Sequence, residues 1–300
     1  MWKEQLNIKN PSQKWTLFLL AGCVYAWILP VFFLGFLQII KVAFSEPYIQ
    51  IPPYKNLLTN FSWEFIEFKI YLANLFDLFN EKIYVYAFGR SLKIAGLSTL
   101  IALIVAYPMA LGLVMMPKRY QSSLLLLILL PFWTSFLLRV YAWIGLLNSD
   151  GIINTALMKL GLISTPLTLL YTDFAVGLGI VYCYLPFMLL PLYSTLQKFD
   201  WSLIEASADL GCKPWSSFRQ VLLPNTVSGI FTGCFFVFIP ALGEIIIPIL
   251  LGGSKAVMFG RVIWEEFFFN RDWTMASMLS LALLVVLMFP IYRAQKKGDL

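Results

Sequence analysis

The sequence predicts an all-α polytopic membrane protein with six transmembrane helices, and three observations carry that prediction. The first is composition: of 300 residues, 60% are hydrophobic and only 13% charged, with mean hydropathy +0.78, whereas soluble domains are about a quarter charged. The second is six apolar runs, at about 17–42, 91–116, 124–147, 174–197, 225–251 and 273–292, each near the roughly 20 residues that cross about 30 Å of hydrocarbon. The third is that a segment crossing lipid must satisfy its own backbone polar groups, which a helix does and a lone strand does not. With no low-complexity linker and no internal repeat, residues 1–300 read as one transmembrane domain.

The first run follows Lys3, Lys9 and Lys14 in the manner of a secretory signal. Its length and the lack of an A-x-A-like cleavage site favour a retained anchor. An insert at 44–87 comes next, carrying Pro47, Pro52 and Pro53, then Trp63-Glu64-Phe65-Ile66-Glu67-Phe68. That mixed aromatic and acidic stretch predicts a short helix lying at the membrane interface. Because the insert separates the first span from the others, the first helix is expected to pack peripherally and spans two to six to form the bundle. Arg90 and Lys93 open the second span, where snorkelling accommodates them. Within the third span the segment Pro131 to Trp143 places Phe132, Trp133, Phe136 and Tyr141 around Arg139. Two readings stand for these aromatics: helix packing, and cation–π attraction for an organic cation in a desolvated site, with Trp133 and Tyr141 as the candidates. In the fifth span, Glu244 lies in Pro240-Ala241-Leu242-Gly243-Glu244-Ile245-Ile246-Ile247-Pro248, where two prolines and a glycine weaken the helix. An intramembrane carboxylate is costly and usually functional. It reads either as a way station for a cation or as half of a buried ion pair with Arg139.

Orientation follows from the basic residues between spans. With the N-terminus cytoplasmic, the inner segments hold Lys3, Lys9, Lys14, Lys118, Arg119, Lys198, Lys213, Arg219, Arg293, Lys296 and Lys297, and the outer ones Lys55, Lys69, Lys82, Lys159, Lys255, Arg261 and Arg271. Both termini are therefore expected inside and the 44–87 insert outside. The outer loops also carry more acids than bases, which favours cations near that face, although solvated loop charges give the same pattern. No histidine is present, so the commonest metal ligand and general base are missing. Cys23, Cys183 and Cys234 fall in spans and Cys212 in a loop, with no C-x-x-C pair, which disfavours disulfides and a cysteine metal cage. Without a G-x-x-x-x-G-K-[ST] phosphate cradle, any ATP coupling has to come from a partner. No metal site, cofactor, catalytic residue or nucleic-acid interface is expected.

The loop at 198–224 is polar and helix-forming. Asp200 or Ser202 can cap a short helix, and Ser202 to Glu205 has the spacing in which Glu205 reaches back to the cap nitrogen. Gly211 permits the left-handed residue that ends the helix, and Pro214 suits the first turn of a second one. Trp201, Ile204 and Ala208 share a face that could enter a partner's groove. The plainer reading is an amphipathic helix resting on the bilayer. Glu205-Ala206-Ser207-Ala208-Asp209-Leu210-Gly211, followed after nine residues by Val221-Leu222-Leu223-Pro224, resembles the EAA loop of binding-protein-dependent ABC importer permeases. Ser207 stands where that pattern usually has alanine.

The segments LPFWTSFLLRVYAWIGLL at 130–147, PALGEIIIPILLGG at 240–253 and GRVIWEEFFFNRDWTMAS at 260–277 make the likeness narrower. They resemble the permeases of spermidine/putrescine ABC importers, most of all the putrescine-type first permease, with Thr274 where proline is common. The resemblance implies a type I importer permease fold in the bacterial inner membrane and a transport subunit rather than an enzyme. It implies that Glu205, Ala206, Asp209, Gly211, Leu223 and Pro224 couple the chain to an ATPase dimer. The other implied partners are a second homologous permease subunit, an extracytoplasmic polyamine-binding protein and membrane lipid. The candidate substrate path is Glu244, Trp133 and Tyr141. Permeases of this architecture for ferric iron, thiamine or small anions are the alternatives, followed by a polytopic membrane enzyme, for which Glu244 and Arg139 make a poor catalytic set.

Overall fold

The computed structural model describes residues 11–55, 58–61, 66–68, 70–254 and 256–297. Lys3, Lys9, Trp63, Glu64, Phe65, Lys69 and Lys255 lie outside the described residues. In chain order the helices are α1 (Pro11–Ala43), α2 (Ala73–Asn80), α3 (Lys82–Met115), α4 (Lys118–Leu129), α5 (Phe136–Leu147), α6 (Ile152–Lys159), α7 (Asp173–Gln197), α8 (Ser202–Asp209), α9 (Pro214–Asn225), α10 (Val227–Leu242), α11 (Ile246–Leu251), α12 (Phe259–Phe268) and α13 (Trp273–Lys297). Among the described residues five helical stretches are long and apolar enough to cross a membrane. A sixth arises if α9 and α10, bent by 67° at Thr226, count as one.

The bundle is built on α3, α7 and α10, which pack pairwise. Small residues let their backbones approach, as is usual where lipid supplies no hydrophobic drive between helices. Ala102, Ala106 and Ala110 form a fully buried stripe on α3 against Met188, Leu189, Leu192 and Leu196 of α7. On α10, a Cβ at Gly229 would meet Thr195 Oγ1 at 2.4 Å and one at Gly233 would meet Met188 Sδ at 2.7 Å. Helix α1 rests on α13 instead and leaves Trp27, Phe32 and Leu34 exposed, a peripheral position as the intervening insert suggested. Helix ends are closed by side chains: Asn74 Nδ2 donates to the carbonyls of Ala43 (3.1 Å) and Ser45 (3.3 Å), and Gln121 Nε2 to those of Val114 (3.0 Å) and Met116 (2.9 Å). These bonds satisfy carbonyls that a helix end leaves without partners.

Two expectations about elements need correction. The interfacial helix over 63–68 does not form at 66–68. Ile66–Phe68 is a strand, β2, antiparallel to β1 (Leu58–Phe61), with Phe61 opposite Ile66 and Leu58 opposite Phe68; its apolar–acidic–apolar alternation has the period of two that a strand requires. The third predicted span is not one helix. A 3₁₀ turn at Leu130–Trp133 and extended residues follow α4, where Pro131 withdraws an amide and Thr134 Oγ1 turns back to the Pro131 carbonyl at 2.6 Å. The fifth span breaks in the stretch that two prolines and a glycine weaken: α10 has 16 residues, about 24 Å of helix, and α11 starts after three intervening residues. Pro248 is the third residue of α11, where its missing N–H is one that the first turn leaves unpaired anyway.

Candidate functional site

Among the described residues, polar chemistry that packing alone does not require gathers in the elbow between α7 and α10 and in the broken stretch around Glu244.

In the elbow, the cap predicted for α8 comes from Asp200, whose Oδ1 accepts the Ser202 N–H at 3.1 Å. The reciprocal bond from Glu205 does not form; Glu205 is exposed because the first-turn donor is already satisfied by Asp200. The helix ends in two bonds, Cys212 N–H to Ser207 C=O (3.0 Å) and Gly211 N–H to Ala208 C=O (2.8 Å), closing around Gly211 at φ +81°. This pair of bonds is the Schellman closure, and the positive φ is why glycine stands there. Ser207 and Ser217 are both buried, and Ser207 Oγ donates to Ser217 Oγ at 2.7 Å, locking α8 onto α9. The serine that departs from the usual alanine is therefore the link between the two helices.

The outward face of α8 differs from the expected one. Trp201 and Ile204 pack against the core cluster of α3 and α7, while Ala208 is exposed. Phe218 joins the same cluster and draws the Trp201–Ile204 side inward, since an amphipathic helix buries its larger apolar residues when its own protein offers a surface. Left outside are Leu203, Ala206 and Leu210, at the i, i+3, i+7 spacing of one face, with Glu205 and Asp209 beside them. Leu210 is 85% exposed.

The elbow is also anchored to the bundle. Phe218–Leu222 is a π-helical turn, Leu223 is half-buried and Pro224 exposed. The buried Thr226 at the bend holds Tyr107 of α3 through a hydroxyl pair at 3.0 Å. Its Oγ1 is also within bonding distance of the carbonyls of Leu222 (3.0 Å) and Leu223 (3.2 Å). Tyr107 further meets Phe218 edge-on at 5.7 Å between ring centroids. Sequence reasoning missed this anchor, for nothing local joins residues 119 apart.

Around Glu244, the residue is only 7% exposed. Its Oε1 accepts the N–H groups of Ile246 (3.0 Å) and Ile247 (3.3 Å), closing the start of α11, and its Oε2 accepts the Tyr184 hydroxyl. A carboxylate at a helix N-terminus meets unpaired amides and the positive end of the helix dipole. The alternative of an ion pair with Arg139 is thereby corrected: Arg139 lies instead over the ring of Phe132, at 4.6 Å from its centroid, and near Phe136 at 5.7 Å. Trp133 and Tyr141 are 82% and 58% exposed. Arg90, expected to snorkel, pairs with Asp173 at the start of α7. Gly260 packs against the break itself, where a Cβ would lie 2.4 Å from the Gly243 carbonyl oxygen.

Comparison with known proteins agrees with this architecture. The chain matches the family described as binding-protein-dependent transport system inner membrane component over residues 96–296. It is 37% identical over 292 residues to the spermidine/putrescine transport system permease protein PotB of Haemophilus influenzae, covering 96% of each chain. To PotB of Escherichia coli K12 it is 35% identical, covering 88% of this chain and 91% of that one. A solved bacterial ABC transporter involved in the import of the acidic polysaccharide alginate superposes with TM-score 0.66 at 17% identity, covering 98% of both chains, which shows a shared type I ABC importer permease fold. The chain belongs to the binding-protein-dependent transport system inner membrane component family, as a multi-pass transport protein of the inner membrane.

Proposed function

We propose that the chain is the permease subunit of an ATP-driven importer that moves polyamines, putrescine or spermidine, across the inner membrane. The observation that carries this reading is identity above a third with the PotB permeases along almost the whole chain. The fold alone does not choose the solute, since an alginate importer shares it. A second homologous permease, an ATPase dimer and an extracytoplasmic polyamine-binding protein complete the machine, with lipid around the exposed apolar helices.

The elbow of α8 and α9 is the coupling element in this reading. It is rigid internally through Ser207 and Ser217, fixed to α3 through Tyr107, and exposes Leu203, Ala206 and Leu210 flanked by Glu205 and Asp209. A groove on the ATPase that takes up those residues would turn its own closure into a tilt of α3 and α10. Leu223 and Pro224 shape the π-helical turn that carries the tilt. Glu244 belongs to the substrate path: its break in α10–α11 is the place where a passing ammonium could exchange for the Tyr184 hydroxyl, with Trp133 and Tyr141 offering ring faces toward the second subunit.

The test is uptake of labelled putrescine and spermidine by a strain lacking its own polyamine importers and complemented with this gene and its operon neighbours. ATP-dependent accumulation of either amine is the expected outcome. Absence of both, with the complex assembled in the membrane, would overturn the substrate reading and leave the family standing.

A further inference from the structure

Arg139 is the least comfortable charge among the described residues. Its Nε and Nη1 are buried without a hydrogen-bond partner, and a guanidinium cannot relieve that by losing a proton. What surrounds it is aromatic. The guanidinium lies over Phe132 and near Phe136, Phe132 approaches Tyr182 at 6.1 Å, and Tyr182 meets Trp143 edge-on at 5.4 Å. Ring faces attract a cation without hydrogen bonds, and more strongly once water is removed. Glu244 belongs to the same region: Tyr184, which holds it, packs with Phe136, Trp143 and Tyr182 against one core cluster. Yet the carboxylate is taken up by Tyr184 and the α11 amides. Buried charges are ordinarily paired; here an acid and a base of one region are each held by neutral groups instead.

We propose that Phe132, Phe136, Tyr182 and Trp143 form a cation cage occupied at rest by Arg139, and that an ammonium group of the transported amine competes with the guanidinium for it. Arg139 is then a specificity-determining residue. Its charge repels cations from the neighbourhood of Glu244, and only a ligand with ammonium groups to place both on the rings and near the carboxylate recovers what displacing Arg139 costs. The resident cation keeps the site weak, which suits a path that must release what it captures. This inference rests on the polyamine reading above.

The test is binding of labelled putrescine to the purified permease–ATPase complex with the binding protein left out, beside uptake by the wild-type complex with the binding protein present. Arg139→Met keeps length and removes the charge. It is expected to tighten putrescine binding roughly tenfold, the scale of one short-range unit-charge repulsion in a partly screened site. The gain is expected to vanish in the double variant Arg139→Met, Phe132→Leu, which removes the ring under the guanidinium, and Arg139→Lys is expected to bind as wild type does. Equal affinities for wild type and Arg139→Met, or no binding by either, overturn the proposal even where wild-type uptake upholds the substrate reading. Should Arg139→Met not accumulate in the membrane, Arg139→Gln takes its place. Loss of both neutral variants, with rescue by Arg139→Lys, assigns the charge to assembly and overturns it as well.

Discussion

Single residues at the break between α10 and α11 carry opposite kinds of constraint. Gly260 is constrained by space, since the Cβ of an alanine would meet the backbone oxygen of Gly243 at 2.4 Å, and backbone cannot step aside as a flexible side chain does. Gly260→Ala is expected to cost about 1–3 kcal/mol, as overpacking does, and to appear as a lower melting temperature and reduced membrane abundance. Normal values of both would show that the break adapts. Glu244 is constrained by charge. Glu244→Gln keeps an oxygen for the Ile246 and Ile247 amides but loses the anion, so assembly is expected to persist while polyamine uptake slows. Immunoblotting the membrane fraction beside the uptake assay distinguishes this from a structural role: if Glu244 served only to hold the fold, protein would disappear in proportion to activity. The sequence showed that Glu244 is a carboxylate at a helix break. It did not show what receives the carboxylate, because that depends on where the helix restarts and on Tyr184 of another helix.

At the scale of elements, the elbow shows which features a sequence displays. Asp200 as cap, Gly211 as stop and Pro214 as restart are local rules, and the structure follows each of them. The inward turn of Trp201 and Ile204 and the Tyr107–Thr226 anchor are decided by packing between distant segments, which no spacing reveals. The breaks in the third and fifth spans fall between these cases. Pro131, Pro240 and Gly243 were visible, but membrane helices often continue through proline, as α7 does with Pro186 and Pro191 inside it. Two substitutions test the elbow as a lever. Gly211→Pro imposes φ near −65° where +81° is needed and removes the N–H that closes α8, so uptake is expected to be abolished while the protein still reaches the membrane. Tyr107→Phe is subtler. It removes the hydroxyl that ties α3 to Thr226, a loss of about 1 kcal/mol, because Thr226 keeps the Leu222 carbonyl as a partner. If the anchor transmits motion, ATP hydrolysed per amine transported should rise in reconstituted vesicles; an unchanged ratio would mean that the tie is only structural.

For the molecule as a whole, the arrangement of charge across the membrane ties the elbow to its partner. The coupling reading requires α8 and α9 on the side where ATP is, and the ends of the chain fall on the same side as the elbow if every apolar segment crosses once. The described crossings allow this count: α1, α3, the α5–α6 stretch (Phe136–Lys159), α7, the bent α9–α10 pair and α13 make six passages, an even number that returns the C-terminus to the side of the N-terminus. Lys118, Arg119, Lys198, Lys213, Arg219 and Arg293 then face the cytoplasm, as the inside preference for basic residues demands. In that orientation the hairpin of β1 and β2 and helix α2 would face outward with the net acidic loops. A reporter that works only in the cytoplasm, fused after Leu300, is expected to be active, and one inserted near Ile49 at the tip of the outer insert to be silent. The reverse pattern would place the elbow outside, out of reach of any ATPase. It would remove the coupling role from Glu205 and Asp209 while leaving the helix packing around α3, α7 and α10 unchanged.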